Sequence, residues 1–170
     1  MDFFAAVRIC FNKYVNFGGR ASRSEFWLFV LFVVLGGLIL GVIDGVVGIE
    51  QGDPVSLGNA FGLLTFLPGL AVAVRRLHDT NRSGLWLLLW FSLSGLSLLL
   101  WYPPIGDLAV LGILDLAIVF GILWVVSFFT LLYWYCIKGD ARENRFGLAP
   151  RANTQDATIS TTLDSNRQGE

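Results

Sequence analysis

The chain has 170 residues and a net charge of −1, with 55% hydrophobic and 15% charged residues, whereas soluble domains average roughly 45–50% and 25%. Four stretches without a charged residue or histidine, at 26–43, 54–74, 83–106 and 116–137, make up half of the chain. No soluble domain of this length has a core that could bury them, so the composition excludes a soluble globular enzyme and indicates a small polytopic membrane protein.

The N-terminus predicts an amphipathic helix, because Phe4, Val7, Phe11 and Tyr14 recur at helical spacing. We expect this short helix to lie in the cytoplasmic interface, and the pattern fits an ordinary helix docked on the helix bundle equally well. The first apolar stretch starts too late and is too long for a cleaved signal peptide, so it should remain in the mature protein.

Four transmembrane helices are predicted next, at about residues 26–46, 55–74, 85–101 and 116–137. Each has about 17–22 residues, which is enough to cross roughly 30 Å of hydrocarbon. We therefore expect an all-α membrane protein with four transmembrane helices. Residues 1–150 would form its four-span membrane domain, and residues 151–170 a disordered, polar cytoplasmic tail.

Small residues and a proline inside the predicted spans indicate how the helices pack. Gly37, Gly41 and Gly45 stand four residues apart, which lets helix backbones approach closely. We expect them to pack within the bundle, with homodimerisation as the alternative. Pro68 removes a backbone hydrogen bond from the second span and should kink it.

All twelve Lys and Arg residues fall before the first span, between the second and third, or after the fourth. In the two remaining loops all charged residues are acidic. Asp44 and Asp115 lie where those loops meet the spans. The positive-inside rule then predicts that both termini and the middle loop are cytoplasmic. Because an acid at a span end can reach interfacial water, a proton or cation role for these two residues is the less favoured interpretation.

Three predicted cytoplasmic segments contain most of the remaining polar residues. They read GRASRSEFW at 19–27, RRLHDTNRSG at 75–84 and KGDARENRFG at 138–147. In this order and spacing they resemble the bacterial proteins grouped as domain of unknown function 805, over about residues 10–150. The resemblance implies a multi-pass, four-span protein of the bacterial inner (plasma) membrane, and it implies no substrate, cofactor or activity.

These segments supply ten candidate residues for an anion-binding or partner-binding site or for a structural polar cluster: Arg20, Arg23, Glu25, Arg75, Arg76, His78, Asp79, Arg82, Asn144 and Arg145. In the structural interpretation, Arg–carboxylate pairs lock the helix ends together. In the other, guanidinium groups form a pocket for a phosphate or carboxylate. Excess positive charge would also meet anionic lipid headgroups, at about 1 kcal/mol per residue.

We expect a structural or interaction module of unknown activity. Its basic cytoplasmic face would contact anionic lipid headgroups of the bilayer or a protein partner. A homo-oligomer is a further candidate assembly, and we expect no binding of nucleic acid. A small transporter or channel is the alternative, although polar residues inside the spans are few. A membrane enzyme using His78 and Asp79 is a weaker alternative, since no nucleophile motif accompanies them. Cys10 and Cys136 fit no zinc or redox spacing, so we expect no catalytic residue, cofactor, metal or disulfide.

Overall fold

The computed structural model describes residues 1–49, 53, 56–101 and 113–150, and within these residues the fold is all-helical apart from one isolated β-bridge. The helices are α1 Phe3–Asn12, α2 Arg23–Val47, α3 Leu57–Asp79, α4 Leu85–Trp101 and α5 Ile113–Cys136. Among the described residues, α2, α3 and the 118–136 part of α5 are long and apolar enough to cross a membrane, and α4 is a shorter apolar helix of 17 residues. The all-α prediction is confirmed for this part of the chain.

The described residues divide into two compact units. The first contains α1, α2, α3 and the segment 138–150, and the second contains α4 and α5. The predicted tail at 151–170 and the side chain of Asp115 lie outside the described residues.

Asp44 on α2 caps the beginning of α3. Its carboxylate accepts hydrogen bonds from the Ser56 hydroxyl at 2.8 Å and from the backbone amides of Leu57 at 3.0 Å and Gly58 at 2.9 Å. The first amides of a helix have no partner within the helix, so a carboxylate here satisfies them and opposes the positive end of the helix dipole. This acid therefore has a structural role in joining α2 to α3.

The N-terminal helix α1 packs against α2 and α3. The Phe11 ring lies 5.9 Å, centroid to centroid, from the rings of Phe29 and Phe32 on α2. The Tyr14 hydroxyl, just beyond α1, donates to the backbone carbonyl of Leu64 at 2.8 Å. Pro68 lies four residues after Leu64 and has no amide to offer that carbonyl, so the tyrosine replaces the hydrogen bond that the proline removes.

Helices α2 and α3 approach each other closely at Gly36. A Cβ atom at this position would lie 2.5 Å from the Phe61 ring, so no larger residue fits without movement. By contrast, no described atom lies within 4 Å of such a Cβ on Gly37, Gly41 or Gly45. The contact between α2 and α3 thus uses the neighbouring glycine instead of the predicted row.

In the second unit, aromatic side chains join α4 to α5. The Trp90 and Trp124 rings stack with 6.2 Å between centroids, and the indole nitrogen of Trp124 donates to the Ser94 hydroxyl at 2.7 Å. Nearer the other end of the pair, Trp86 and Trp134 meet edge to face at 4.9 Å. These contacts hold the two helices side by side through large apolar surfaces.

Candidate functional site: a buried arginine cluster

Five charged residues are buried together in the first unit and form what we call the arginine cluster: Arg20, Arg75 and Arg76 with Glu25 and Asp79. They come from the first two of the three polar motifs, at 19–27 and 75–84, which include the beginning of α2 and the end of α3. A backbone hydrogen bond from the Ala21 amide to the Arg75 carbonyl, at 3.0 Å, joins the two motifs directly.

Arg20 binds all three segments at once. Its Nε donates to Asp79 Oδ1 at 2.9 Å, and its Nη2 lies 2.8 Å from the same oxygen. Its terminal nitrogens also donate to the backbone carbonyls of Asp140, of Arg142 at 2.8 Å and of Gly147 at 3.3 Å. A guanidinium has five N–H groups in a fixed plane, so this one side chain can join the first, second and third motifs.

Asp79 pairs with two arginines. One carboxylate oxygen pairs with Arg20, and the other accepts a hydrogen bond from Arg76 Nη1, three residues earlier on α3. Both arginine side chains are at most 1% exposed and Asp79 is 7% exposed, so water screens these pairs little.

Arg75 makes the second buried pair. Its Nη1 donates to Glu25 Oε1 at 2.6 Å. Its Nε and Nη2 have no hydrogen-bond acceptor among the described residues. The Cys10 thiol of α1 lies beside this pair, and its pKa is raised to about 12. Burial is the larger cause, and the nearby Glu25 carboxylate is the second. This side of the cluster is therefore less completely hydrogen-bonded than the Arg20 side.

The third motif fits closely over Asp79. The Asp140 amide donates to the Asp79 carbonyl at 2.9 Å, which brings the preceding Gly139 directly against the Asp79 side chain. A Cβ atom on Gly139 would overlap the carboxylate, so only glycine fits here without movement. Gly139 was not among the predicted site residues, and the Lys-Gly-Asp sequence within the motif was the available signal.

A tight turn at the end of the third motif holds His78. Asn144 and Gly147 exchange backbone hydrogen bonds of 3.2 and 2.9 Å, and this turn places the Phe146 ring parallel to His78 with 3.8 Å between centroids. Nδ1 of His78 lies 3.1 Å from the Gly19 carbonyl, and the Asn144 amide side chain donates to the His78 carbonyl at 2.9 Å.

His78 and Asp79 face different partners, since the imidazole stacks on the turn and the carboxylate binds arginines. They therefore do not form the His–carboxylate pair that the enzyme alternative requires. Among the described residues, no group of three or more His, Cys, Asp or Glu side chains could hold a metal ion. The cluster is suited to joining chain segments by charge-assisted hydrogen bonds.

The other three predicted arginines lie outside the buried cluster. Arg23 is exposed at the beginning of α2. Arg145 is exposed, stacks 4.7 Å from the Phe146 ring centre and donates to the Asn81 carbonyl at 3.1 Å. Arg82 belongs to the second unit, where its guanidinium carbon lies 4.4 Å from the centre of the Trp134 ring.

Comparisons with known proteins agree with the motif pattern. The family model described as "Protein of unknown function (DUF805)" matches residues 14–148. The chain is 38% identical to inner membrane protein YhaI of Escherichia coli (strain K12) over 140 residues, which cover 82% of this chain and 90% of the relative. It is 33% identical to inner membrane protein YhaH of the same strain over 152 residues, covering 89% and 98%. No solved structure matches the chain. The chain therefore belongs to the DUF805 family, as its three polar motifs predicted, and the two relatives named above are inner membrane proteins.

Proposed function

We propose that this protein crosses the bacterial inner membrane four times with both termini in the cytoplasm, and that it serves as an interaction module for the anionic lipid surface. In this proposal the arginine cluster is the scaffold, and the exposed basic residues around it make the contact. The docked helix α1 lies near the same cytoplasmic interface.

The distribution of basic residues supports the topology. Every Lys and Arg falls in a segment that four spans would place on one side, and the positive-inside rule assigns that side to the cytoplasm. The 17 residues of α4 correspond to about 26 Å at 1.5 Å per residue, at the short end of what crosses a bilayer.

The observation that carries the proposal is the division between buried and exposed charges in the first unit. The buried arginines are held by carboxylates and carbonyls, so they add little attraction for an outside partner. Among the described residues of this unit, the exposed basic residues are Arg8, Lys13, Arg23, Lys138, Arg142 and Arg145. The exposed acids within the same described residues are Asp2, Asp140 and Glu143, so this part of the chain has an excess of positive charge. Each such charge near an anionic membrane contributes about 1 kcal/mol.

Lipid enrichment tests the interaction. We would extract the protein into native nanodiscs and measure the ratio of phosphatidylglycerol to phosphatidylethanolamine around it, comparing wild type with a triple variant, Arg8→Gln, Lys138→Gln and Arg142→Gln. The enrichment should fall in the variant and in high salt, because exposed charges are screened. Glu143→Gln is the matched control and should keep or increase it. Equal enrichment in wild type and the triple variant would contradict the proposal.

Reporter fusions test the topology separately. A reporter that is active only in the periplasm should be inactive when fused at His78 and active when fused within the outer loop that the sequence predicts at 107–115. Activity at His78 would reverse the proposed orientation.

A further inference from the structure

The second unit contains an apolar groove of about 300 Å³ between α4 and α5. Most of its wall is aliphatic and is formed by Leu89, Leu93, Leu123, Val126 and Leu131. Two hydroxyls also reach the wall, but Ser127 and Thr130 donate to carbonyls of their own helix, each at 2.8 Å. Because those donors are already used, the wall offers an occupant mainly hydrocarbon contact.

One end of the groove is aromatic, and an arginine stacks on one of its two tryptophans. Trp86, near the beginning of α4, and Trp134, near the end of α5, meet there edge to face. The Arg82 guanidinium lies over the Trp134 ring. Tryptophan and arginine are typical of the membrane interface, and arginine can bind phosphate through the edge of its guanidinium while its face stacks on a ring.

The length of the groove corresponds to one leaflet. From Trp86 to Leu93 the α4 wall rises about 10 Å, and from Leu123 to Trp134 the α5 wall rises about 16 Å, at 1.5 Å per residue. Half of a roughly 30 Å hydrocarbon core is about 15 Å. The groove thus runs from an interfacial cation to about the middle of the bilayer, which is the path of one lipid acyl chain.

The groove wall is accessible in the fold. Leu89 and Leu123 are each 46% exposed, and Val126 is 56% exposed. We propose that the groove between α4 and α5 binds one anionic phospholipid of the inner leaflet, with an acyl chain along the aliphatic wall and the phosphate beside Arg82. This inference rests on the topology given under Proposed function and adds a defined lipid site to the diffuse surface attraction.

Native mass spectrometry of the full-length protein tests the site by counting bound phosphatidylglycerol. Val126→Trp should fill the groove, and Arg82→Gln should remove the phosphate contact. Each should reduce the singly lipid-bound fraction, for Arg82→Gln by about fivefold, the change expected for one basic residue at an anionic lipid. Val119→Trp is the matched control, because Val119 is 52% exposed on the same helix but does not line the groove, and it should retain the lipid.

Three results would overturn the inference: Val126→Trp binding phosphatidylglycerol as well as Val119→Trp does, Arg82→Gln binding it like wild type, or wild type binding phosphatidylcholine equally well. Arg82→Gln and the comparison of the two lipids decide the matter even if Val126→Trp fails to fold. The triple surface variant separates this inference from the proposed function, since it should lose salt-dependent enrichment while keeping the tightly bound lipid.

Discussion

Replacing Asp79 with asparagine should destabilise the first unit strongly. The substitution keeps the size and shape of the side chain but removes the negative charge that is paired with both Arg20 and Arg76. An asparagine offers one acceptor oxygen in place of two, and its amide would face a guanidinium that also only donates. Two buried arginines would then share a neutral partner.

The size of the effect follows from the burial of all three side chains. Breaking a buried ion pair by removing one partner costs about 3–5 kcal/mol, because the remaining charge stays away from water. For a protein of this size, 1 kcal/mol corresponds to about 2–4 °C, so the melting temperature of Asp79→Asn should fall by roughly 6–20 °C. The carbonyls that bind Arg20 stay in place and keep the loss within this range.

A thiol-reactive fluorophore can report the unfolding. Cys10 is buried in the first unit and becomes reactive only when the unit opens, and a Cys136→Ser background removes the exposed thiol. Asp140→Asn is the matched control, since Arg20 contacts only the backbone carbonyl of that residue and its side chain is exposed. The control should change stability by less than about 0.5 kcal/mol. Equal melting temperatures for the Asp79 and Asp140 variants would refute the argument that the buried pairs hold the cluster.

Two further substitution experiments and one labelling experiment test other contacts. Gly139→Ala should cost about 1–3 kcal/mol through overlap with the buried carboxylate, while Gly37→Ala, in open space, should be nearly neutral in the same melting assay. Asp44→Ala should cost about 1–2 kcal/mol and speed hydrogen exchange at the beginning of α3, and Asp44→Asn, which keeps an acceptor, should cost less. In the folded wild type, maleimide should label Cys136 and spare Cys10, and raising the pH from 7 to 9 should leave Cys10 unlabelled, because its pKa of about 12 keeps the thiol protonated.

The helices were the most predictable part of the fold. Long uncharged stretches have few alternatives to helices in a membrane, because every backbone polar group must be paired within the segment. Half of the Tyr14 contact could also be predicted, because a proline at 68 leaves the backbone carbonyl of Leu64 without its helical hydrogen-bond donor. Which donor binds this carbonyl depends on where α1 lies. The periodicity of α1 fitted a helix docked on the bundle and a helix in the membrane interface equally well.

Most residues of the candidate site could be predicted from the sequence, but which arginine pairs with which carboxylate could not. The first two motifs contain Arg20, Glu25, Arg75 and Asp79, but any of these arginines could have paired with either carboxylate. Pairing depends on how deeply each side chain is buried. Burial is set by the packing of the helices and cannot be deduced from the spacing of residues in the sequence. The same cause separates Arg23, which is exposed, from Arg20 only three residues earlier, which is buried.

The balance of charge within the arginine cluster explains why the third motif is part of it. Three buried guanidinium groups have only two carboxylates among them, so ion pairing alone leaves one positive charge uncompensated. Carbonyl dipoles of Asp140, Arg142 and Gly147 supply the missing negative potential around Arg20. Carbonyls can converge on one side chain only if the chain passes very close to it, and Gly139 permits that approach over Asp79. A glycine-containing segment far along the chain therefore completes a cluster whose charges all come from the first two motifs.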